Sequence, residues 1–213
     1  MTGRNLRQDL RLYLVAGSQD APYGLLESVE AALRGGVTAV QLREKSGTDR
    51  EILLLAERVR ELCREHDAAF YLNDRLDLAL AANADGLHIG VDDIPIPTAR
   101  RIAGDSFVIG FSPDSDVGAR SAQLEGASYL GIGPVFGTKS KPDAGPAIGL
   151  SVLRRRISIS GLPVIGIGGI DAENAGSVIE AGAAGIAVMS AVLRASDPES
   201  AARTLREAVD AAS

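Results

Sequence analysis

The sequence predicts a (β/α)8 barrel in a single domain that spans residues 1–213. Short apolar runs alternate with helical patterns along the chain, and glycine pairs close several of the helices. No low-complexity tract or long linker divides the sequence. A helix between successive strands returns the chain so that the strands can pair in parallel. An open, doubly wound sheet is the alternative architecture.

Eight runs rich in aliphatic residues predict the strands. They are Leu12–Val15, Ala39–Leu42, Ala69–Leu72, Gly86–Ile89, Phe107–Gly110, Tyr129–Ile132, Val164–Ile167 and Gly185–Val188. A barrel of this class usually has about 250 residues. With 213 residues, this chain is expected to form a compact example.

Helical periodicity predicts a helix after each of these strands. The predicted helices are Leu25–Arg34, Asp49–His66, Leu76–Ala82, Thr98–Ala103, Ser115–Glu125, Leu150–Ile157, Ala172–Ala181 and Pro198–Ala212. The clearest helix follows Thr48, a predicted N-cap with which Glu51 would complete a capping box. Asp197 before Pro198 marks the start of the last helix.

The glycine-rich run from Gly166 to Asp171 is a poor dinucleotide fingerprint. Asp171 occupies the third glycine position, and the run lies late in the chain. This disfavours the doubly wound alternative.

Composition limits the partners and the compartment. The net charge is −6 and the isoelectric point is about 5.0, which argues against a general affinity for nucleic acid or anionic membranes. Cys63 is the single cysteine, so no internal disulfide can form. No apolar run reaches the ~20 residues of a membrane span or forms a signal peptide. We expect a cytoplasmic protein with small-molecule partners, which could form homo-oligomers.

Basic and amide side chains follow the second predicted strand. Gln41, Arg43 and Lys45 stand at alternate positions, so an extended backbone would project all three to one side. Such a cluster suits an anion, most plausibly phosphate. The alternative interpretation is a solvated charged loop. The residues that follow the other strands are needed to choose between an anion site and such a loop.

Acidic residues follow the third and fourth strands. Asp74 comes after Asn73, and Asp93 comes after Asp92, which could supplement it. Two carboxylates at the same barrel rim as two cations fit Mg²⁺ with a polyphosphate, because Mg²⁺ takes one or two carboxylates plus phosphate oxygens. Equally, Asp74 and Asp93 could cap the helices that follow them.

Hydroxyl groups and lysines follow the fifth and sixth strands. Ser112 would be a neutral hydrogen-bond donor at the rim, or a turn or helix-start serine. The longest irregular stretch, from Gly133 to Gly149, resembles an active-site loop that could close over an anion. It offers two hydroxyl groups, from Thr138 and Ser140, and two lysines, Lys139 and Lys141. A solvated charged turn is the alternative.

The last two strands end in Gly168-Gly169 and Met189-Ser190. Loops in these positions of a barrel often bind phosphate through backbone amides. The sequence therefore predicts two anion sites, one cationic and one built mainly of backbone.

Neither histidine is predicted to be catalytic. His66 lies in a helix pattern and His88 inside a strand pattern, so both are expected to be structural. With Cys63 they do not form a zinc-binding set. No acyl-transfer nucleophile stands out.

Six motifs in register resemble thiamine-phosphate synthases. They are Gln41–Lys45, Asn73–Asp74, His88–Asp93, Gly110–Ser112, Gly133–Lys141 and Gly166–Ile170. The resemblance runs in order across nearly the whole chain. It implies a (β/α)8 enzyme that couples 4-amino-2-methyl-5-(diphosphooxymethyl)pyrimidine to a thiazole phosphate and releases pyrophosphate by a dissociative substitution.

The resemblance also implies roles for individual residues. The pyrimidine diphosphate would be bound by Gln41, Arg43, Lys45, Asn73, Ser112 and Lys141. Mg²⁺ would be held by Asp74 and Asp93. The thiazole phosphate would be bordered by Thr138, Ser140, Gly169, Met189 and Ser190. The catalytic residues would be Arg43, Ser112 and Lys141, which stabilise the leaving group.

One departure from the family pattern concerns Asp114. Relatives usually carry histidine two residues after the serine, whereas this chain has Ser112-Pro-Asp114. This weakens a thiazole tautomerase alternative, which depends on a histidine in this region. A non-catalytic phosphate-binding barrel and a sugar-phosphate isomerase are further alternatives. The isomerase would need a base at the rim, for which Glu44 is the candidate.

Overall fold

The structure is a computed structural model that describes residues 5–138 and 145–212. Three sequence-predicted loop residues, Lys139, Ser140 and Lys141, lie outside the described residues. The fold and most of the predicted site can be followed in the remainder.

Eight parallel strands form a closed barrel in sequence order. They are β1 (Leu12–Ala16), β2 (Ala39–Leu42), β3 (Ala69–Asn73), β4 (Gly86–Gly90), β5 (Val108–Ser112), β6 (Tyr129–Ile132), β7 (Val164–Ile167) and β8 (Gly185–Val188). Leu12 of β1 pairs with Ile186 of β8, so the sheet closes without a free edge. The predicted (β/α)8 barrel is confirmed, and the open doubly wound alternative is wrong.

Helices connect the strands. They are α1 (Leu6–Asp9), a 3₁₀ turn (Ser18–Asp20), α2 (Leu25–Arg34), α3 (Asp49–Glu65), α4 (Leu76–Ala81), α5 (Ile96–Ala103), α6 (Asp116–Glu125), α7 (Gly149–Ser160), α8 (Ala175–Glu180), α9 (Ser190–Leu193) and α10 (Pro198–Ala211). The sequence missed α1, α9 and the 3₁₀ turn, because segments of three or four residues carry no periodicity. Within the described residues, no helix has both the length and the apolar composition needed to cross a membrane.

Local hydrogen bonds explain where these helices begin. Thr48 and Glu51 form the predicted capping box at the start of α3. Helix α8 begins later than predicted, because the Asp171 carboxylate accepts hydrogen bonds from the backbone N–H groups of Glu173 and Asn174 and forms a turn there. Helix α5 begins earlier than predicted, since a proline is tolerated in the first turn.

Aromatic rings fill the interior of the barrel. Tyr13, Tyr71 and Tyr129 are fully or almost fully buried, and each ring centroid lies 5.5–6.1 Å from the other two. Small residues on neighbouring strands leave the volume that these rings occupy. A Cβ at Gly86 would lie 2.8 Å from the Tyr71 ring, and a Cβ at Gly110 would overlap the Tyr129 ring.

Aliphatic and alanine side chains form a second core between the strands and the helices. Leu87, Ile89, Ile109 and Leu130 belong to this outer layer and are fully buried. Along β4 these outward side chains alternate with Gly86, His88 and Gly90, as the period of two requires. The interior face of β4 therefore carries the imidazole of His88 between Gly86 and Gly90.

We predict that Gly110→Ala destabilises the protein by about 1–3 kcal/mol, because the added methyl group forces the Tyr129 and His88 rings to move. Gly176→Ala is the matched control. A Cβ at Gly176 would make one ordinary contact, 3.6 Å from Ala212 Cβ, so this change in α8 should be neutral or stabilising by up to about 1 kcal/mol. Urea unfolding measures both; equal stabilities would contradict the packing described for the barrel interior.

Candidate active site

A cavity of about 240 Å³ lies at the carboxyl ends of the strands. The sequence-predicted site residues in its wall are Gln41, Arg43, Asn73, Ser112, Thr138, Gly169, Met189 and Ser190. They come from five different strand ends and the loop after β6. The structure therefore brings together residues that are widely separated in the sequence.

The end of β2 supplies the cationic wall. Gln41 is buried, Arg43 is half-buried, and both line the cavity. The Arg43 N–H donates to the Ala16 carbonyl at 2.7 Å, which continues the β1–β2 ladder one residue past the strand. Lys45 does not line this cavity; its ammonium group pairs with the Asp74 carboxylate. Gln41 and Arg43 thus line the cavity, whereas Lys45 pairs with the neighbouring carboxylate of Asp74.

Asp74 and Asp93 do not cap helices. The N-caps of α4 and α5 are Arg75 and Pro95, and neither helix has a side-chain cap. Asp74 instead has a left-handed backbone, with φ +61°, and its N–H donates to the His88 carbonyl at 2.9 Å. Asp93 accepts a hydrogen bond from the Gly90 N–H at 2.7 Å.

The Asp93 carboxyl lies beside the Asp74 carboxyl, and repulsion between the two charges affects the pKa of Asp93. Burial raises the pKa of Asp93, and the adjacent Asp74 carboxyl raises it further, against the Gly90 N–H and the Lys45 charge. A divalent cation would relieve this repulsion. Hard oxygen ligands on adjacent strand ends suit Mg²⁺. Among the described residues no group of three or more His, Cys, Asp or Glu could hold a metal.

Ser112 is the last residue of β5 and lines the cavity. The N-cap of α6 is Ser115, so Ser112 does not start the helix. Its Oγ lies 2.8 Å from His88 Nε2. Ser112 is therefore held by a side chain from the neighbouring strand and can present a hydroxyl to a ligand.

A buried arginine fixes the loop that follows Ser112. Arg156 of α7 donates to the carbonyl oxygens of Pro113 and Asp114, at 3.3 and 2.8 Å, and pairs with the Asp116 carboxylate. The backbone of Asp114, which replaces the usual histidine, thus helps to anchor the loop. The sequence does not distinguish Arg156 from Arg154 and Arg155, because solvated and buried arginines look alike in a helix pattern.

His88 belongs to the site, which the sequence did not predict. The His88 ring lines the cavity and lies between Ser112 and Tyr129. Its Nε2 is 2.8 Å from Ser112 Oγ, and its Nδ1 is 3.0 Å from the Tyr129 hydroxyl. A usable signal existed, because His88 is a polar residue on the glycine-bearing face of an otherwise apolar strand. That face is the barrel interior. His66, in contrast, is the C-cap residue of α3.

The opposite wall is mainly backbone. Gly168 and Gly169 have φ +96° and +64°, and a Cβ at Gly168 would lie 2.6 Å from Pro134 Cα. Glycine is therefore required where this turn packs against the loop after β6. Asn174 donates to the Gly169 carbonyl at 3.0 Å and fixes the turn.

Comparison with known proteins agrees with this arrangement. Residues 12–192 match a family model described as thiamine monophosphate synthase, which covers most of the chain.

Individual relatives match over most of their own length as well. A thiamine-phosphate synthase of Moorella thermoacetica is 51% identical over 184 residues, which are 86% of this chain and 88% of that protein. One from Natronomonas pharaonis is 46% identical over 96% of this chain and 97% of its own length. A solved structure of thiamine phosphate pyrophosphorylase from Pyrococcus furiosus superposes with a TM-score of 0.90 at 42% identity, covering 98% of this chain and 99% of that one. The chain therefore belongs to the thiamine monophosphate synthase family.

Proposed function

We propose that the chain is a thiamine-phosphate synthase, a transferase that couples 4-amino-2-methyl-5-(diphosphooxymethyl)pyrimidine to a thiazole phosphate and releases pyrophosphate. Membership of the family supports the activity. The observation that carries the finer proposal is the arrangement of the cavity. A cationic wall beside a carboxylate pair faces a glycine-rich backbone wall, as two phosphate-bearing substrates require.

The reaction is a substitution at the methylene carbon of the pyrimidine. The carbon–oxygen bond breaks and its electron pair leaves with pyrophosphate; the thiazole nitrogen then donates its lone pair to the resulting cation. Mg²⁺, held by Asp74 and Asp93, would neutralise charge on the leaving diphosphate. No step needs a covalent protein nucleophile.

The residues of the chain act on the leaving group and on its position. Arg43 donates to diphosphate oxygens, and the Ser112 hydroxyl adds a neutral donor. Charge on these oxygens grows as the bond breaks, so both contacts strengthen in the transition state. Gln41 and Asn73 orient the pyrimidine, and Lys45 balances the charge of Asp74. Lys141, which lies outside the described residues, is proposed as a further cation on the leaving group.

The thiazole phosphate is proposed to bind on the opposite side. Thr138, Gly169, Met189 and Ser190 border that wall, and backbone N–H groups near the glycine turn would donate to phosphoryl oxygens. Ser140, outside the described residues, is proposed to contribute a second hydroxyl.

Glu44 does not support a sugar-phosphate isomerase. Burial alone would raise the pKa of Glu44, but hydrogen bonds from Ser18 and Ser46 hold it below its usual value. Both carboxylate oxygens accept these bonds, from the Ser18 N–H and the Ser46 hydroxyl, and the residue does not line the cavity. A general base needs the opposite pKa shift and access to substrate. The tautomerase and non-catalytic alternatives are not favoured, since the Asp74 and Asp93 pair is intact.

Purified protein should release pyrophosphate only when both substrates and Mg²⁺ are present. A chelator should abolish product formation, and added Mg²⁺ should restore it. Coupled pyrophosphate detection measures the rate. Undiminished product formation in chelator would contradict the metal assignment, and ligand binding without turnover would favour a non-catalytic barrel.

Asp74→Asn and Asp93→Asn should each lower kcat by about 100-fold or more, because the leaving group loses several kcal/mol of charge stabilisation. The Mg²⁺ concentration for half-maximal activity should rise in both variants. Asp92→Asn is the matched control, since Asp92 is exposed and is not the carboxylate beside Asp74. Wild-type kinetics in the Asp74 and Asp93 variants would refute their role as ligands.

Arg43→Lys should lower kcat/KM for the pyrimidine diphosphate by roughly 10- to 100-fold, because a lysine cannot replace the forked donor pair of a guanidinium. Arg50→Lys, an exposed position in α3, is the control and should behave as wild type. Steady-state kinetics at saturating Mg²⁺ compare them. Unchanged kinetics in Arg43→Lys would mean that Arg43 makes no such contact.

A further inference from the structure

Hydrogen bonds link four side chains across the barrel interior, and we call this set the interior chain: Tyr13, Tyr129, His88 and Ser112. The Tyr13 hydroxyl lies 2.9 Å from the Tyr129 hydroxyl. The Tyr129 hydroxyl lies 3.0 Å from His88 Nδ1, and His88 Nε2 lies 2.8 Å from Ser112 Oγ. His88 and Ser112 line the cavity, whereas the tyrosines are buried.

Proton counting allows the interior chain two directions. Each hydroxyl carries one proton, and a neutral imidazole carries one N–H. In one direction Tyr13 donates to Tyr129, Tyr129 to His88 Nδ1, and His88 Nε2–H to Ser112. The Ser112 proton is then directed into the cavity. In the reverse direction Ser112 donates to His88 and can only accept from a ligand.

The tyrosines keep their protons in either direction. Burial raises the pKa of Tyr13 well above its usual value. Burial also raises the pKa of Tyr129. Each hydroxyl can therefore donate one hydrogen bond.

We propose that His88 is a positioning residue: through the interior chain it is held as the Nε2–H tautomer, which donates to Ser112 and leaves the serine proton to donate to an anionic oxygen in the cavity. This inference rests on the proposed function, in which that oxygen belongs to the diphosphate. An oxyanion accepts but cannot donate, so its arrival selects the first direction.

Nitrogen NMR of the full chain labelled with ¹⁵N-histidine tests the tautomer directly. The chain has two histidines, and a His66→Gln variant identifies the His88 signals. With saturating inorganic pyrophosphate and Mg²⁺, we expect His88 to be protonated at Nε2 and unprotonated at Nδ1. Protonation at Nδ1 in this complex, alone or together with Nε2, would overturn the proposal.

A double-mutant cycle tests the functional link. Tyr129→Phe should lower kcat by about 3- to 10-fold, the worth of one hydrogen bond. In a Ser112→Ala background the same change should cause no further loss, because Tyr129 acts through Ser112. If the fold-loss of kcat in the double variant equals the product of the losses in the two single variants, the proposal is overturned.

The matched control for the cycle is Tyr71→Phe, which removes a buried hydroxyl from the same ring cluster but no link of the interior chain. It should retain kcat within about twofold, and a loss equal to that of Tyr129→Phe would overturn the proposal. If the wild-type chain shows no turnover at all, the proposed function fails, and the NMR measurement with pyrophosphate still decides the tautomer.

Discussion

Closure of the barrel through the pairing of β1 with β8 is the constraint on which the rest of the structure depends. Leu12, Tyr13 and Leu14 pair with Ile186, Ala187 and Val188, and the other strands pair in parallel in sequence order. Every strand therefore ends at the same rim. Side chains just past β2, β3 and β4 must meet those just past β7 and β8, although helices separate them in the sequence.

The filling of the barrel connects stability to the site. Branched aliphatic residues usually fill such interiors, but here three tyrosines and a histidine occupy much of the space. Their rings require the glycines of β4 and β5, since a Cβ at Gly110 would overlap both Tyr129 and His88. The buried polar atoms of Tyr13, Tyr129 and His88 need hydrogen-bond partners. Their hydrogen bonds reach Ser112, so the packing of the core also orients a hydroxyl group in the cavity.

Local charge at the rim differs from the charge of the whole chain. The net charge is −6, yet Arg43 lines the cavity, and Lys45 lies against Asp74 beside it. An acidic protein can hold polyanions at such a place because screening limits the influence of distant surface charges to about 8–10 Å. The neighbouring Asp74 and Asp93 carboxylates, for which we propose a cation, lie at the same rim.

The sequence by itself determined the eight strands, the longer helices, their order and which residues stand at or just past the end of each strand. Periodicity and turn residues encode these features locally, as the Thr48 capping box and the ends of β2 show. Only the tertiary structure decided that His88 contacts Ser112, that Arg156 is buried against the loop after β5, and that Lys45 pairs with Asp74. Periodicity gives the face on which a side chain lies, but its partner depends on the register of strands and helices distant in sequence. For that reason many of the predicted residues line the cavity, whereas His88 and the contacts that orient the other side chains were not predicted.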